Sequence, residues 1–480
     1  MSSGAVSSDG HGARREELTK VVRTVPGATV PLDVEGYPIA PPELELEQVH
    51  IYVRHGERTP VRVRMSDPPA NIPERWDLCK TARRFRAAVT SNINVTNAME
   101  EVTIRKVIES ANGDIEAGEC LLGELTDLGR QNTYNFGRAL RRLYIDRLRF
   151  LPDTLRSPGT NAFRDGLHSE PSQVYFRSTN VPRTIESLHE IIFGLYPSDK
   201  CLDGYVHQLR IRNGKDENLY GNTVCKRLEI LELGFAKAAA AAWNPVLEAL
   251  DGKISKYIGG NPVRLDGRPR ASGIFDTIRS AAANSMPVPK DFNEKGVMDV
   301  IEKAIVHEWY GGYDTEEVRR LGMGPLLADI SEKMISKATQ GSTNRLKLLL
   351  HSTHDTCLAA LCKTLDVFDE KWPAFTSSVT FELFRKTSSS DPRDSTAGHE
   401  SSGSLLSWQT ILSPFRRPGL TDQHYVRMRY QNRSLPLPLC AEDGKHLPGH
   451  PEFCTLTAFR QRIKELTPVN WEGECSVNGK

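Results

Sequence analysis

Residues 48–60 read QVHIYVRHGERTP, and this stretch decides the fold that we predict. Its first six residues are rich in apolar β-formers, which predicts a strand. At the carboxyl end of that strand, Arg54 and Arg58 bracket His55 and Gly56. Ligands bind at the carboxyl ends of strands in open α/β sheets, and guanidinium groups match phosphate oxygens. The stretch therefore predicts a phosphate site with a histidine nucleophile, and a plain basic turn is the alternative until partners are found.

Two further strand ends carry residues of the same kind. Residues 348–356 (LLLHSTHDT) predict a second strand that ends at His354 and Asp355, followed by leucines at helical spacing. Residues 174–184 (VYFRSTNVPRT) predict a third strand and turn, with Arg183 in the first turn of an amphipathic helix. Taken alone, Asp355 could be a helix N-cap and Arg183 a surface arginine. Because open α/β sheets gather strand ends along one edge, we expect these side chains to converge.

These segments, in this order and with a long insert before the last, resemble the histidine acid phosphatases. The resemblance covers roughly residues 47–460 and is weakest in the middle. It rests on RHGxRxP at 54–60, RSTxVxRT at 177–184, the pair His354 and Asp355, LTDLG at 125–129 and FDEKWP at 368–373. Within the family, RSTN at 177–180 with Glu186 and Ser187 is most similar to the lysophosphatidic acid phosphatase branch.

The resemblance implies an α/β fold, a phosphoglycerate mutase-like three-layer sandwich with a mixed central sheet and an inserted helical cap. We expect the α/β catalytic core at residues 47–196 and 341–470, and the helical cap at 197–340. The Pro-rich start of the chain predicts a loose amino-terminal arm at 1–46. A stretch rich in Ser, Gly and Thr predicts a mobile loop at 386–404.

The resemblance also implies the catalytic roles. His55 would attack phosphorus and form a phosphohistidine that water hydrolyses, and Asp355 would protonate the leaving alkoxide. The phosphoryl oxygens would be held by Arg54, Arg58, Arg183 and His354. Guanidinium groups can supply the charge stabilisation that Mg²⁺ supplies in other phosphoryl-transfer enzymes, so we expect no metal and no cofactor. A helix N-terminus lowers the pKa of a carboxyl, so we expect Asp355 to act as an acid mainly beside a bound phosphate dianion.

The predicted function is metal-independent hydrolysis of a small-molecule phosphomonoester or a lysophospholipid. Phytate or another inositol polyphosphate is the alternative substrate, although Glu57 stands where phytase-like members usually carry Ala. A phosphate-binding module without turnover is the alternative of another class, but it would normally lose His55 or Asp355. The related phosphoglycerate mutases generally lack the Arg-x-Pro continuation and the late His-Asp pair. Pro182 stands where many members carry Asp, which puts the presentation of Arg183 in question.

Composition limits the remaining possibilities. The 480 residues are 39% hydrophobic with a formal net charge of +1, which is typical of a globular chain with two lobes. No basic field indicates nucleic acid, and no transmembrane segment is expected because the chain lacks an apolar run of about 18 residues. Trp243, Trp309 and Tyr310 could line a substrate pocket or belong to the core. Nothing in the sequence indicates an oligomeric state.

The start of the chain and the cysteines bear on where the protein is located. Residues 1–46 contain no apolar core of signal-peptide length, so we expect an intracellular, cytoplasmic protein. A mitochondrial address is the alternative, weakened by the glutamates that follow the Arg14-Arg15 pair. The nine cysteines are odd in number and scattered, which does not predict a disulfide framework. Cys440 and Cys454, which flank a loop, are a candidate pair.

Overall fold

The computed structural model describes residues 30–81, 83–86, 101–116, 118–156, 173–202, 205–387 and 423–477. Its strands are β1 Leu44–Arg54, β2 Arg83–Arg86, β3 Glu101–Ile104, β4 Ile108–Glu109, β5 Ile115–Glu116, β6 Leu155–Arg156, β7 Val174–Ser178, β8 Cys201–Leu202, β9 Leu209–Ile211, β10 Leu348–Thr353, β11 Ser378–Lys386, β12 His424–Tyr430, β13 Arg433–Leu435, β14 His446–Leu447 and β15 His450–Thr455. Its α-helices are α1 Asp127–Arg141, α2 Pro182–Leu195, α3 Lys226–Leu247, α4 Asp251–Ile254, α5 Ala271–Ala283, α6 Val297–Tyr310, α7 Glu316–Gly322, α8 Gly324–Gln340, α9 Asp355–Thr364, α10 Leu456–Leu466 and α11 Trp471–Cys475.

A mixed sheet lies at the centre of the described residues. Its strands follow the order β14-β15-β12-β11-β1-β10-β7-β9, with β13 paired to β12. The pairs β1–β10, β10–β7 and β7–β9 are parallel, whereas β11 runs antiparallel to β1 and to β12. The register pairs Arg54 with Thr353 and Ser352 with Ser178. The carboxyl ends of β1, β10 and β7 therefore lie side by side at one edge of the sheet, as predicted.

Helices cover both faces of this sheet. On one face, Val49, Ile51 and Val53 of β1 pack with apolar residues of α1 and α2. On the other face, Tyr52 belongs to a cluster that includes residues of α8, α9 and α10. Successive side chains of a strand point to opposite faces, so a strand covered on both sides must be apolar on both. The predicted three-layer α/β sandwich with a mixed central sheet is confirmed.

The cap forms a third packing unit. Its apolar core combines residues of α3, α5 and α6 with Met65, Ile72 and Trp76 from the segment that follows β1. Residues of α5 and α6 also line a cavity together with residues from the ends of the parallel strands. The cap therefore lies over the carboxyl edge of the sheet.

The prediction of a loose arm at 1–46 does not hold for residues 30–46, the part of it that the structure describes. Val34 and Tyr37 are each only 5% exposed, and β1 already begins at Leu44. The Tyr37 hydroxyl donates a hydrogen bond of 2.9 Å to the buried carboxylate of Glu382 in β11. These contacts hold the segment against the sheet, which the Pro-rich composition alone did not reveal.

The cap is shorter than the predicted range 197–340. Strand β9 joins the central sheet next to β7. Helix α8 packs on a face of the sheet because its apolar stripe, which includes Leu326, Ile330 and Met334, belongs to the same cluster as Tyr52. The predicted mobile loop at 386–404 lies outside the described residues from position 388 onward.

Six of the nine cysteines form disulfides, so the expectation that the cysteines form no such framework is wrong. The pairs are Cys79–Cys120, Cys225–Cys475 and the candidate pair Cys440–Cys454, which is thereby confirmed. Cys225 and Cys475 are 250 residues apart, and only the folded chain brings such positions together. Across the described ranges, no helix is both long enough and apolar enough to cross a membrane.

Candidate active site

The ends of three parallel strands bring the predicted site residues together. The backbone N–H of His55, one residue after β1, donates to the carbonyl of Thr353 at the end of β10 over 3.0 Å. The rings of His55 and His354 therefore meet edge to face, with centroids 5.6 Å apart. Thr179, one residue after β7, places its hydroxyl 3.1 Å from Nε2 of His354. The sheet register thus assembles both histidines at one point.

A cavity of about 470 Å³ opens at this point. Its lining includes five of the six predicted site residues, namely Arg54, Arg58, Arg183, His354 and Asp355. The sixth, His55, is 2% exposed, and its ring contacts His354 and Phe375, which both line the cavity. The structure therefore brings all six predicted residues to one site, with His55 at its base.

Hydrogen bonding and burial set the protonation of the His55 ring. Its Nδ1 lies 2.9 Å from the carbonyl oxygen of Gly56, which can only accept, so Nδ1 carries the proton. In the neutral ring, Nε2 then keeps its lone pair. Burial holds the pKa of His55 well below its ordinary value, and the positive charges of Arg183, Arg54 and Arg58 lower it further. The ring therefore stays neutral to a lower pH than an ordinary histidine does, with its lone pair on Nε2.

A close backbone approach fixes the loop that carries His55. A Cβ atom on Gly56 would lie 2.5 Å from the carbonyl oxygen of Gly129 in the first turn of α1, so this position requires glycine. The N–H of Gly56 donates to Oγ of Ser187 in α2 over 3.1 Å. Helices α1 and α2 thus hold the loop from one side.

Arg54 and Asp355 form a buried ion pair at the cavity wall. The Arg54 guanidinium lies 2.6 Å from Oδ2 of Asp355, donates to the carbonyl of Pro373 over 2.6 Å and stacks over the ring of Phe375. Burial lowers the pKa of Arg54 to about 10, which leaves it charged. For Asp355, burial raises the pKa, but the charges of Arg54, Arg58 and His354 outweigh it and lower the pKa overall. Asp355 is therefore a carboxylate in the unliganded protein.

The helix start at Asp355 differs from a simple N-cap. Asp355 is the first residue of α9, whereas the N-cap position belongs to His354, whose side chain makes no capping hydrogen bond. Oδ1 of Asp355 instead accepts from the N–H of Thr356 over 2.9 Å. The carboxylate thus faces the cavity from the first turn of the helix.

Arg58 and Arg183 complete the cluster of cations. Arg58 lies 2.8 Å from Asp276 of the cap helix α5. Arg183 follows Pro182, the first residue of α2, a position where a helix tolerates proline. Burial and the neighbouring charge of Arg58 lower the pKa of Arg183 to about 10. Pro182 therefore does not keep Arg183 from the cavity.

Replacing Arg183 with alanine is expected to lower kcat/KM about 100-fold to 1000-fold, by analogy with the loss of one oxyanion-hole donor. Among the described residues, no carboxylate forms an ion pair with Arg183, so its guanidinium is available to a phosphoryl group. Steady-state kinetics with an aryl phosphate measure the effect. Arg138→Ala, at an exposed position in the last turn of α1, is the matched control and should leave kcat/KM unchanged. Equal values of kcat/KM for the two variants would contradict a role of Arg183 in binding the phosphoryl group.

The cap supplies residues that the sequence did not indicate. Asp276 and Arg279 of α5 line the cavity, as does Arg64 from the segment after β1. Trp372, also in the lining, donates its indole N–H to Asp355 over 2.9 Å. No local pattern marks Arg64, Asp276 or Arg279, because only the packing of the cap onto the sheet brings them near His55. Trp372 lies in the FDEKWP segment, which the family resemblance includes, so the resemblance could have indicated it.

Glu57 and the three cap aromatics differ in their relation to the cavity. Glu57 is buried and is not among the residues that line the cavity, and its Oε1 accepts from Asn132 of α1 over 2.9 Å. It therefore would not touch a substrate in the cavity. Of the three cap aromatics, Trp309 lines the cavity and is 48% exposed, whereas Tyr310 is buried. Trp243 donates its indole N–H to His307 within the cap, over 2.6 Å.

Comparisons with known proteins agree with this fold. A family model described as "Histidine phosphatase superfamily (branch 2)" matches residues 45–403. The chain is 33% identical over 455 residues to a probable acid phosphatase of Schizosaccharomyces pombe, covering 91% of this chain and 95% of that protein. It is 24% identical over 364 residues to lysophosphatidic acid phosphatase type 6 of Bos taurus, covering 72% of this chain and 76% of that protein. The fold is similar to that of a Hafnia alvei phytase in complex with tartrate, with a TM-score of 0.53, 14% identity and coverage of 91% of this chain and 100% of that chain.

Proposed function

This chain belongs to branch 2 of the histidine phosphatase superfamily, and we propose that it hydrolyses phosphomonoesters through a phosphohistidine formed on His55. Family membership and the acid phosphatases among its relatives bear out the predicted class, a phosphoric monoester hydrolase. The observation that carries the mechanism is the contact of His55 Nδ1 with the Gly56 carbonyl, which puts the lone pair of the neutral ring on Nε2, and burial beside three arginines favours that neutral form. A binding module without turnover would not need a nucleophile prepared in this way.

In the first step, the arginines and His354 bind the phosphoryl oxygens, and Nε2 of His55 attacks phosphorus. The N–P bond forms as the bond between phosphorus and the ester oxygen breaks, and Asp355 gives its proton to the departing oxygen. In the second step, water attacks the phosphohistidine and the N–P bond breaks. Asp355, now a carboxylate, takes the proton of that water. Phosphate leaves and Asp355 is again protonated.

Asp355 must gain its proton when substrate binds. In the unliganded protein, the charges of Arg54, Arg58 and His354 keep its pKa low. A phosphate dianion neutralises these guanidinium groups and adds a like charge beside the carboxylate, and both effects raise the pKa. We therefore propose that turnover falls as the pH rises above mildly acidic values, because the bound complex then loses the proton of Asp355.

His55 is expected to stay neutral at pH 5. A histidine with the ordinary pKa of about 6.5 would be about 97% protonated at that pH, and its nucleophilic form would be scarce. Burial and the arginines lower the pKa of His55, so protonation should begin only at a more acidic pH. NMR titration of protein with labelled histidine, assigned through His55→Ala, measures this directly. A His55 resonance that titrates near pH 6.5 would contradict the proposed role of its environment.

The lining of the cavity favours a leaving group with an apolar body. Val61, Val181, Phe275, Ile305 and Trp309 lie on the same cavity as the arginines. A tryptophan that is 48% exposed at such a mouth presents a large apolar surface to a ligand. An aryl phosphate or a lysophospholipid would cover this surface, and one relative is named a lysophosphatidic acid phosphatase.

The cavity is less suited to a substrate with many phosphates. Arg64 and Arg279 add positive charge to the lining, but Asp276 and Asp355 add two carboxylates. Asp276 lies 2.8 Å from Arg58 and 3.7 Å from Arg64, so two cations are already partly neutralised. Inositol polyphosphates would need several further free cations. We therefore keep phytate hydrolysis as the alternative.

Phosphate release in EDTA at acidic pH tests the proposal, with 4-nitrophenyl phosphate, lysophosphatidic acid and phytate as substrates. We expect wild type to act on the first two with kcat/KM at least about tenfold above that for phytate, which corresponds to only about 1.4 kcal/mol of discrimination. Trp309→Ala should lower kcat/KM for lysophosphatidic acid more than for a small alkyl phosphate. A preference for phytate would favour the alternative function, an inositol polyphosphate phosphatase. Inactivity toward all three would contradict the phosphatase proposal.

The sequence alone predicts an intracellular, cytoplasmic location. The three disulfides weigh against it, because structural disulfides are rare in the reducing cytosol and persist in oxidising compartments. We therefore propose that the chain folds in an oxidising compartment.

A further inference from the structure

Trp372 lies between the cap and the proton donor. Its side chain is half-buried and packs against Phe275 of α5 and against Trp309 and Tyr310 of α6, with ring centroids 5.2–5.8 Å apart. Its indole N–H donates to Oδ2 of Asp355 over 2.9 Å. The cap thus reaches the acid of the reaction through a hydrogen bond of Trp372.

The backbone of Trp372 is also fixed by the cap. Its N–H donates to Oε1 of Glu302 in α6 over 2.9 Å, and its carbonyl accepts from Arg279 in α5 over 2.9 Å. The carbonyl of the next residue, Pro373, accepts from Arg54 over 2.6 Å. With both backbone groups and the ring held, the indole N–H has little freedom to leave Asp355.

The hydrogen bonds of Asp355 decide which of its oxygens can carry a proton. A carboxylate has about four lone-pair sites, two on each oxygen. The two sites on Oδ2 are occupied by Arg54 at 2.6 Å and by Trp372 at 2.9 Å. One site on Oδ1 is occupied by the N–H of Thr356 at 2.9 Å. The remaining site for the acidic proton is therefore on Oδ1.

We propose that Trp372 is a positioning residue for the general acid, which confines the transferable proton of Asp355 to Oδ1. This inference rests on the proposed phosphomonoesterase function. In the first step, the Oδ1–H bond breaks and the proton passes to the ester oxygen as that oxygen leaves phosphorus. Without the indole N–H, the proton can also occupy Oδ2, on the side of the carboxyl that faces position 372. A proton on Oδ2 cannot reach the leaving oxygen.

The test is Trp372→Phe, which keeps an aromatic ring and removes the N–H. Alkyl phosphates need a proton on their leaving oxygen, whereas 4-nitrophenolate departs without one. We expect kcat/KM to fall about tenfold to 100-fold for glycerol 3-phosphate and less than about threefold for 4-nitrophenyl phosphate, as for the loss of one hydrogen bond to a charged group. Trp243→Phe is the matched control, since it removes an indole N–H that is bonded to His307, outside the cavity. It should leave both substrates unchanged.

A double-mutant cycle distinguishes positioning from a purely structural effect. If Trp372 acts through Asp355, Trp372→Phe should add little to Asp355→Asn for glycerol 3-phosphate. Equal losses for both substrates, or the full effect of Trp372→Phe in the Asp355→Asn background, would overturn the inference. The unfolding midpoint of each variant shows whether it is folded. Failure of the proposed function would appear differently, as a wild type that releases phosphate from neither substrate.

Discussion

Replacing His55 with alanine is expected to abolish turnover, with kcat lowered about 10⁵-fold or more, as when an enzyme loses its covalent nucleophile. In the proposed mechanism, the covalent intermediate forms on His55, so its loss removes that intermediate altogether. The arginines would still bind the phosphoryl group, so the affinity for inorganic phosphate should change little. Stopped assays at high enzyme concentration with 4-nitrophenyl phosphate measure the residual rate.

His207→Ala is the matched control for this variant. His207 is half-buried against Phe176 and Tyr205 outside the cavity, and its pKa is lowered to about 4 by burial. Its replacement should leave kcat unchanged. If His55→Ala retained more than about one per cent of wild-type kcat, a different nucleophile would have to be sought, because nucleophile loss costs far more.

Asp355→Asn is expected to produce the second largest loss, about 100-fold to 10⁴-fold in kcat/KM for an alkyl phosphate. Asparagine fills nearly the same volume and keeps one acceptor oxygen, so it can accept from either Thr356 or Trp372, but it cannot give up a proton to the leaving oxygen. For 4-nitrophenyl phosphate the loss in kcat/KM should be much smaller. A plot of kcat/KM against the pKa of the leaving alcohol should therefore become steeper in the variant.

Asp153→Asn is the control for Asp355→Asn. Asp153 is a surface carboxylate paired with Lys200 at 2.7 Å, and its loss should not alter the dependence on the leaving group. If Asp355→Asn slowed every substrate by the same factor, Asp355 would serve only to hold Arg54. The proton donor would then have to be another group.

Local pattern predicted three of the four parallel strands, β1, β7 and β10, and the six residues at their carboxyl ends, but not β9. Each of these residues follows a strand directly or lies within a few residues of one, so the topology of an open α/β sheet was enough to bring them together. Arg54 pairs with Thr353 in the parallel register of β1 and β10, and this pairing puts His55 next to His354. The catalytic roles of the six residues stay proposals until they are measured.

The rest of the site depends on packing that no local pattern encodes. Asp276 and Arg279 reach the cavity because the apolar face of α5 packs into the cap and its other side faces the sheet edge. Glu57 could not be oriented from sequence, and its hydrogen bond to Asn132 exists only because α1 packs on the loop after β1. The pair Cys225–Cys475 was missed for the same reason.

The most direct test of covalent catalysis by His55 is to trap the phosphoenzyme. Wild type is mixed with radiolabelled substrate at acidic pH, quenched in alkali within the first turnover and digested. Phosphohistidine survives alkali and is lost in acid, and we predict one such label on the peptide that contains His55 and none in His55→Ala. A wild type that turns over without any trapped label, or a label that persists in His55→Ala, would contradict covalent catalysis by His55.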